Sequence, residues 1–118
     1  MFDVLVVDDD AECREAVRSA LSREGYDVRC ADNGAHALEL LRRDPPRLIL
    51  CDVRMPEMTG PELVHEAVDE GLIDPHHVVM VSAIAQRCGS PASWCMTKPI
   101  DFDLMLRVVS DFCGARSA

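Results

Sequence analysis

The sequence predicts an α/β protein with a mostly parallel five-stranded sheet and helices on both faces. Short apolar runs rich in Val, Ile and Leu alternate with segments whose apolar residues recur at helical spacing. Such alternation gives parallel strands joined by crossover helices. The segment "RLILCD" (residues 47–52) is a continuous apolar run, as expected where both faces of a sheet are covered. Finally, 118 residues suit one domain with one core, here residues 1–118, and no repeat, low-complexity tract or linker divides them.

The elements follow in order. "DVLVVDDD" reads as a strand from Asp3 to about Asp8. Cys13, Ala16, Val17, Ala20 and Leu21 then form one apolar stripe on a first helix, with Asp10 as its N-cap and Gly25 as its stop. "YDVRCA" is a short strand, and "NGAHALELLRRD" a second helix ended before Pro45 and Pro46. After the strand that closes on Asp52, Pro61 starts a third helix with Leu63, Val64, Ala67 and Val68 facing in, and Gly71 ends it. "HHVVMVSA" and the short "WCMTK" are the fourth and fifth strands. The last helix starts near Asp101 and buries Phe102, Met105, Val108, Val109 and Phe112, and the "GARSA" tail is expected to fray.

Composition narrows the function. A net charge of −9 opposes binding to nucleic-acid phosphates, which needs a basic surface, and suits a protein that meets cations or basic patches. No apolar run approaches the length of a membrane span. The N-terminus lacks the basic start of a secretion signal, so a cytoplasmic location is expected. None of the six cysteines is spaced as C-x-x-C, and they read as reduced, mostly packed side chains. Cys88 and Cys95, in a loop region, are the two that could pair. The four histidines read as surface residues and the methionines as packing or loop cover.

In folds of this kind the site forms at the C-terminal ends of the strands. Strand one ends on Asp8, Asp9 and Asp10, strand three on Asp52, strand four on Ser82 and strand five on Lys98. Converging carboxylates repel one another, and a hard divalent cation relieves the repulsion. Mg²⁺ prefers oxygen ligands and commonly takes one or two carboxylates plus phosphate oxygens. A phosphoryl group beside it would meet the Lys98 ammonium and the Ser82 hydroxyl. A metal, a lysine and a carboxylate nucleophile are the parts of phosphoryl transfer. Asp10 reads as a helix cap rather than a ligand, and Pro56 and Gly60 as residues shaping the loop after Asp52.

"VVDDD" at 6–10, "DVRMPEMTG" at 52–60, "VSA" at 81–83 and "TKP" at 97–99 together resemble the receiver domain of two-component response regulators. The order and spacing match over nearly the whole chain. The resemblance implies a flavodoxin-like strand order 2-1-3-4-5. It makes Asp52 the acceptor of a phosphoryl group from a sensor histidine kinase or phosphotransfer protein. It makes Asp9 and Asp52 direct Mg²⁺ ligands, Asp8 a ligand acting mainly through water, and the Arg54 backbone carbonyl the remaining protein ligand. It makes Ser82 the switch hydroxyl and Lys98 the partner of the phosphoryl oxygens, with Pro99 following. A signalling domain is implied rather than an enzyme, catalysing its own phosphorylation and slow dephosphorylation and passing the signal to a downstream protein.

The sequence departs from that family in three places. Only fifteen residues separate Ser82 from Lys98, and "IAQRCGSPAS" suits no stable helix, so a fourth helix of the family pattern is expected to be short or absent. The position three before Lys98, commonly Tyr or Phe, is Cys95. Its neighbour Trp94 points to the opposite side of the strand and cannot replace it. Arg54 puts a long cation two residues past Asp52, where it can tune the access of water. Two other readings remain: a receiver-like module that binds its partner constitutively, and a phosphatase of the haloacid-dehalogenase type, in which Asp8 would be the nucleophile.

Overall fold

The computed structural model describes residues 1–83 and 94–114. Its strands are β1 (Phe2–Val7), β2 (Val28–Ala31), β3 (Pro46–Asp52), β4 (Val78–Ser82) and β5 (Trp94–Thr97). The helices described are α1 (Ala11–Arg23), α2 (Gly34–Arg43), α3 (Gly60–Asp69) and α4 (Phe102–Cys113), with a 3-10 turn at Pro75–His77 before β4. The strands form one sheet in the order β2-β1-β3-β4-β5, and every neighbouring pair is parallel. This is the expected order. Residues 84–93, where the family's fourth helix is expected to be short or absent and where Cys88 lies, and 115–118 of the tail are outside the described residues.

Side chains alternate faces along a strand, and the sheet has two cores accordingly. Leu5, Val7, Ile49, Cys51, Val78 and Met80 pack with α2 and α3 through Ala37, Leu38, Leu41, Leu63, Val64 and Ala67. Val4, Val6, Leu48, Leu50, Val79 and Met96 pack with α1 and α4 through Val17, Leu21, Met105, Val108 and Val109. Burial on both faces explains why β1 and β3 read as apolar runs rather than alternating ones.

Asp10 caps α1 as expected, and the other helices also start on short polar side chains. Asp10 accepts from the Glu12 N–H at the start of α1, Asn33 from the His36 N–H at α2, and Asp101 from the Leu104 N–H at α4. Thr59 and Glu62 form a reciprocal capping box at α3, with Pro61 in its first turn. Thr59→Ala removes the hydroxyl half of that box. A loss of about 1 kcal/mol is expected, read as a lower urea midpoint at unchanged slope.

Some packing expectations are corrected. Phe102 is 39% exposed: it is the first residue of α4, and the buried stripe begins one turn later at Met105. Ala16 is exposed because α1 buries only a narrow stripe through Val17 and Leu21. Phe112 and Val68 face in and pack against the cores as expected, but are only half-buried. Of the described cysteines, Cys13, Cys30, Cys51 and Cys113 are outside any disulfide, whereas Cys95 is disulfide-bonded, against the expectation of reduced cysteines. The four histidines are exposed.

Candidate functional site

The parallel register brings the polar strand ends together. Val7 pairs with Cys51, so Asp8 and Asp52 are the next residues on adjacent strands. Asp52 pairs with Val81, and Ser82 pairs with Thr97, the residue before Lys98. A carboxylate oxygen from each of Asp8, Asp9 and Asp52 lies within 4.8 Å of the others. The Lys98 ammonium donates to Asp8 Oδ2 at 3.1 Å and stands 3.5 Å from Asp52 Oδ2. Asp8, Asp52 and Ser82 are buried, while Asp9 is exposed at the rim. Ser82 ends β4, and its carbonyl accepts the Lys98 N–H at 2.8 Å, which ties the serine and the lysine to one backbone bridge. The Lys98–Pro99 peptide bond is cis.

The loop after Asp52 is held at both ends. The Val53 N–H continues the ladder onto the Val81 carbonyl, and the Gly60 N–H donates to the Val53 carbonyl at 2.9 Å. Between them the Met58 N–H closes a tight turn on the Pro56 carbonyl, with Glu57 at φ 70°. A non-glycine residue there costs about 1–2 kcal/mol of local strain. Arg54 is exposed, and its backbone N–H donates to the Asp52 carboxylate.

The floor of the site is apolar, formed by Val6, Val81, Met96, Ile100 and Met105. Burial against it pushes the Asp52 carboxyl up to about 6. Asp8 and, less, Asp9 add to the shift, while Lys98 and the Arg54 N–H oppose it. Burial alone would lower the Lys98 ammonium, but its contacts with Asp8 and Asp52 reverse this and leave it raised. Three carboxylates and one lysine leave a net negative pocket whose donors are hard oxygens, the set that suits Mg²⁺.

The raised Asp52 group fixes two pH dependences. A divalent cation needs the carboxylate, so its affinity is expected to fall as pH drops through about 6 and to level off above about 7. Without a cation the sign for stability is opposite. Below about 6 the folded chain holds a proton that the unfolded chain gives up until near 3.8, so this group makes the fold more stable as pH falls across that window. Calorimetric Mg²⁺ titrations and melting curves with chelator, both from pH 5 to 8, read the two effects separately.

Asp8, Asp9, Asp52 and Lys98, expected at the site, are brought into one cluster, with Ser82 at its edge. Asp10 is a cap, as expected. Two neighbours from α1 were not anticipated. Arg14 Nη1 donates to the Asp8 backbone carbonyl at 2.8 Å. The Cys13 thiol faces Asp8, and burial together with that carboxylate pushes it up to about 11, so it stays a protonated thiol. Helical periodicity marks Cys13 only as a packing residue, and a side chain bonded to a main-chain carbonyl has no residue-type signature.

The fold is shared with known proteins. The family model described as "Response regulator receiver domain" matches residues 4–110. An uncharacterized 14.6 kDa protein of Leptolyngbya boryana is 35% identical over 97% of this chain and 92% of its own length. The response regulator receiver protein CpdR of Brucella abortus is 42% identical over 68% of this chain and 64% of its own. Among larger relatives the match spans only part of the protein: 30% of response regulator MprA from Mycobacterium leprae and 24% of regulatory protein AtoC from Escherichia coli. Response regulator TrrA of Thermotoga maritima, solved in complex with Mg²⁺-BeF, superposes with a TM-score of 0.83 at 26% identity, covering 95% of this chain and 99% of that one. A CheY-like receiver domain protein of Methanospirillum hungatei gives 0.78 at 29% identity, covering 95% and 94%. Among the described residues, no helix is long and apolar enough to cross a membrane. With the strand order, the acidic cluster and a family match from Val4 to Ser110, this chain belongs to the response regulator receiver domain family.

Proposed function

We propose that residues 1–118 act as one phosphoacceptor receiver domain, in which Asp52 takes a phosphoryl group in a Mg²⁺-dependent reaction and a protein-interaction surface switches in response. The observation that carries this reading is the meeting of Asp8, Asp9, Asp52 and Lys98 at one edge of the sheet. The donor would be the phosphohistidine of a sensor kinase or phosphotransfer protein. An Asp52 carboxylate oxygen attacks phosphorus in line, the P–N bond breaks as the P–O bond forms, and the electron pair and a proton end on the departing imidazole. Asp8, Asp9, Asp52 and the Arg54 carbonyl would hold Mg²⁺, with Asp8 acting mainly through water. When bound, the ion supplies positive charge to the phosphoryl oxygens.

The chain's own residues do the rest. Lys98 stands against Asp8 and Asp52 and would pair with a phosphoryl oxygen. Ser82 offers a hydroxyl from the end of β4, and its approach to the phosphoryl group would carry the signal into the segment that follows. The output is a protein partner, with no direct contact to nucleic acid or membrane. A second reading, constitutive binding without a switch, draws support from Cys95 standing where the family commonly has an aromatic residue.

The test is intact-mass spectrometry after incubation with acetyl phosphate, with and without Mg²⁺. The wild type should gain one phosphoryl group only with Mg²⁺, and Asp52→Asn should gain none. Equal gain by Asp52→Asn would refute the assignment. A chain that gains nothing and fails to bind beryllofluoride would favour the constitutive module.

A further inference from the structure

We infer that Arg14 is a positioning residue for the acidic cluster, and that its bond to the Asp8 carbonyl sets the β1–α1 turn in the form that binds Mg²⁺. This rests on the Mg²⁺ reading above. Every oxygen of Asp8 has a donor from a different source. Oδ1 accepts the Asp10 N–H at 2.9 Å, Oδ2 accepts Lys98 at 3.1 Å, and the main-chain carbonyl accepts Arg14 Nη1 at 2.8 Å. The first two fix the side chain. The third fixes the peptide plane between Asp8 and Asp9, because the carbonyl and the following Cα share that plane.

Asp9 is the exposed member of the three carboxylates, and its ligand oxygen lies within 4.8 Å of those from Asp8 and Asp52. Its direction depends on the plane that Arg14 holds. The bond is charge-assisted and partly buried, so it is among the stronger kinds. Arg14 reaches it from the first turn of α1, which Asp10 starts by capping Glu12. One cation therefore joins the helix to the strand end that carries two of the three carboxylates.

A purely electrostatic role has the opposite sign. A nearby cation repels Mg²⁺, so removing its charge would tighten binding, and 1 M salt would erase the change because screening then acts within about 3 Å. A geometric role makes removal weaken binding, and the weakening survives salt.

The experiment is Mg²⁺ titration by calorimetry on the full chain, in 0.1 M and 1 M NaCl, for wild type, Arg14→Met and Arg14→Lys, with melting curves in chelator. Met keeps the apolar stem and removes the donor. Its Kd for Mg²⁺ should rise about tenfold at both salt levels, as for lost partners of metal ligands generally. Lys, which keeps a charged donor, should restore most of the affinity. If Arg14→Met does not fold, Arg14→Leu, which also lacks a donor, replaces it and is read in the same way. Unchanged or tighter binding overturns the inference, as does a loss confined to the melting midpoint in chelator. If the wild type itself binds no Mg²⁺, the reading of the cluster fails and this inference with it. Wild-type binding that Arg14→Met retains overturns this inference alone.

Discussion

Lys98→Met should slow phosphoryl uptake from acetyl phosphate by at least about 100-fold, the scale on which removal of one preorganised charge donor acts. The same change should tighten Mg²⁺ binding. Lys98 is the positive group set against Asp8 and Asp52, so it competes with a metal for their charge. Without it Asp8, Asp9 and Asp52 face one another without the ammonium that offsets their charge. Asp52, already raised to about 6 by burial and by Asp8, loses its main opposing influence and moves higher still. A divalent ion then gains more by entering, while a phosphoryl group loses its cationic partner. Opposite signs in two assays on one variant separate a phosphoryl role for Lys98 from a merely structural one. Calorimetry reads the metal and intact mass against time reads the uptake. Uptake within threefold of wild type would remove Lys98 from the account.

Gly60→Ala is expected to destabilise the fold by about 3 kcal/mol, the upper part of the range for forced overpacking. A Cβ at Gly60 would land on the Asp52 carbonyl oxygen, far inside contact distance, and 2.6 Å from Met80 Cε. The methionine can turn aside, but the carbonyl is main chain and cannot. Relief needs the start of α3 to part from the end of β3, where the Gly60 N–H is bonded to Val53. That movement displaces Asp52, so phosphoryl uptake should fall together with stability. Gly34 provides the contrast. A Cβ there meets Met58, 2.6 Å from Sδ and 2.9 Å from Cγ and Cβ, in a loop rather than at a strand end, and Gly34→Ala should cost less than Gly60→Ala. Urea unfolding of the two variants tests the difference. A Gly60→Ala protein within 0.5 kcal/mol of wild type, roughly the scatter of harmless surface changes, would show that this close approach does not constrain the loop.

Much of this was legible in the sequence, for reasons that can be named. Asp10 is a short polar side chain before an apolar stripe and caps α1 as expected, and α4 starts at its cap Asp101, where its start is expected. Asp8, Asp52 and Lys98 follow apolar runs, so strand geometry alone puts them on one edge once the strands are parallel. The strand order came from resemblance, because several orders satisfy the same alternation. Phe102 misled because it is in phase with Met105, while the helix reaches its packed stripe only after the first turn. The Glu57 turn and the Arg14 bond to Asp8 are main-chain features, which periodicity of side chains does not encode. The Cys95 disulfide contradicts the reading of the cysteines as reduced, since spacing permits a pair without requiring one.

The central claim is that Asp52, and not Asp8, receives the phosphoryl group. Both are buried strand-end carboxylates in contact with Lys98. The most direct measurement is residue mapping. The chain is treated with acetyl phosphate and Mg²⁺, the acyl phosphate is reduced with borohydride to leave a stable alcohol, and the peptides are sequenced by mass spectrometry. The account predicts reduction at Asp52, dependent on Mg²⁺ and absent without the phosphodonor. Reduction at Asp8 would contradict it and favour the phosphatase-like chemistry in which strand one carries the nucleophile.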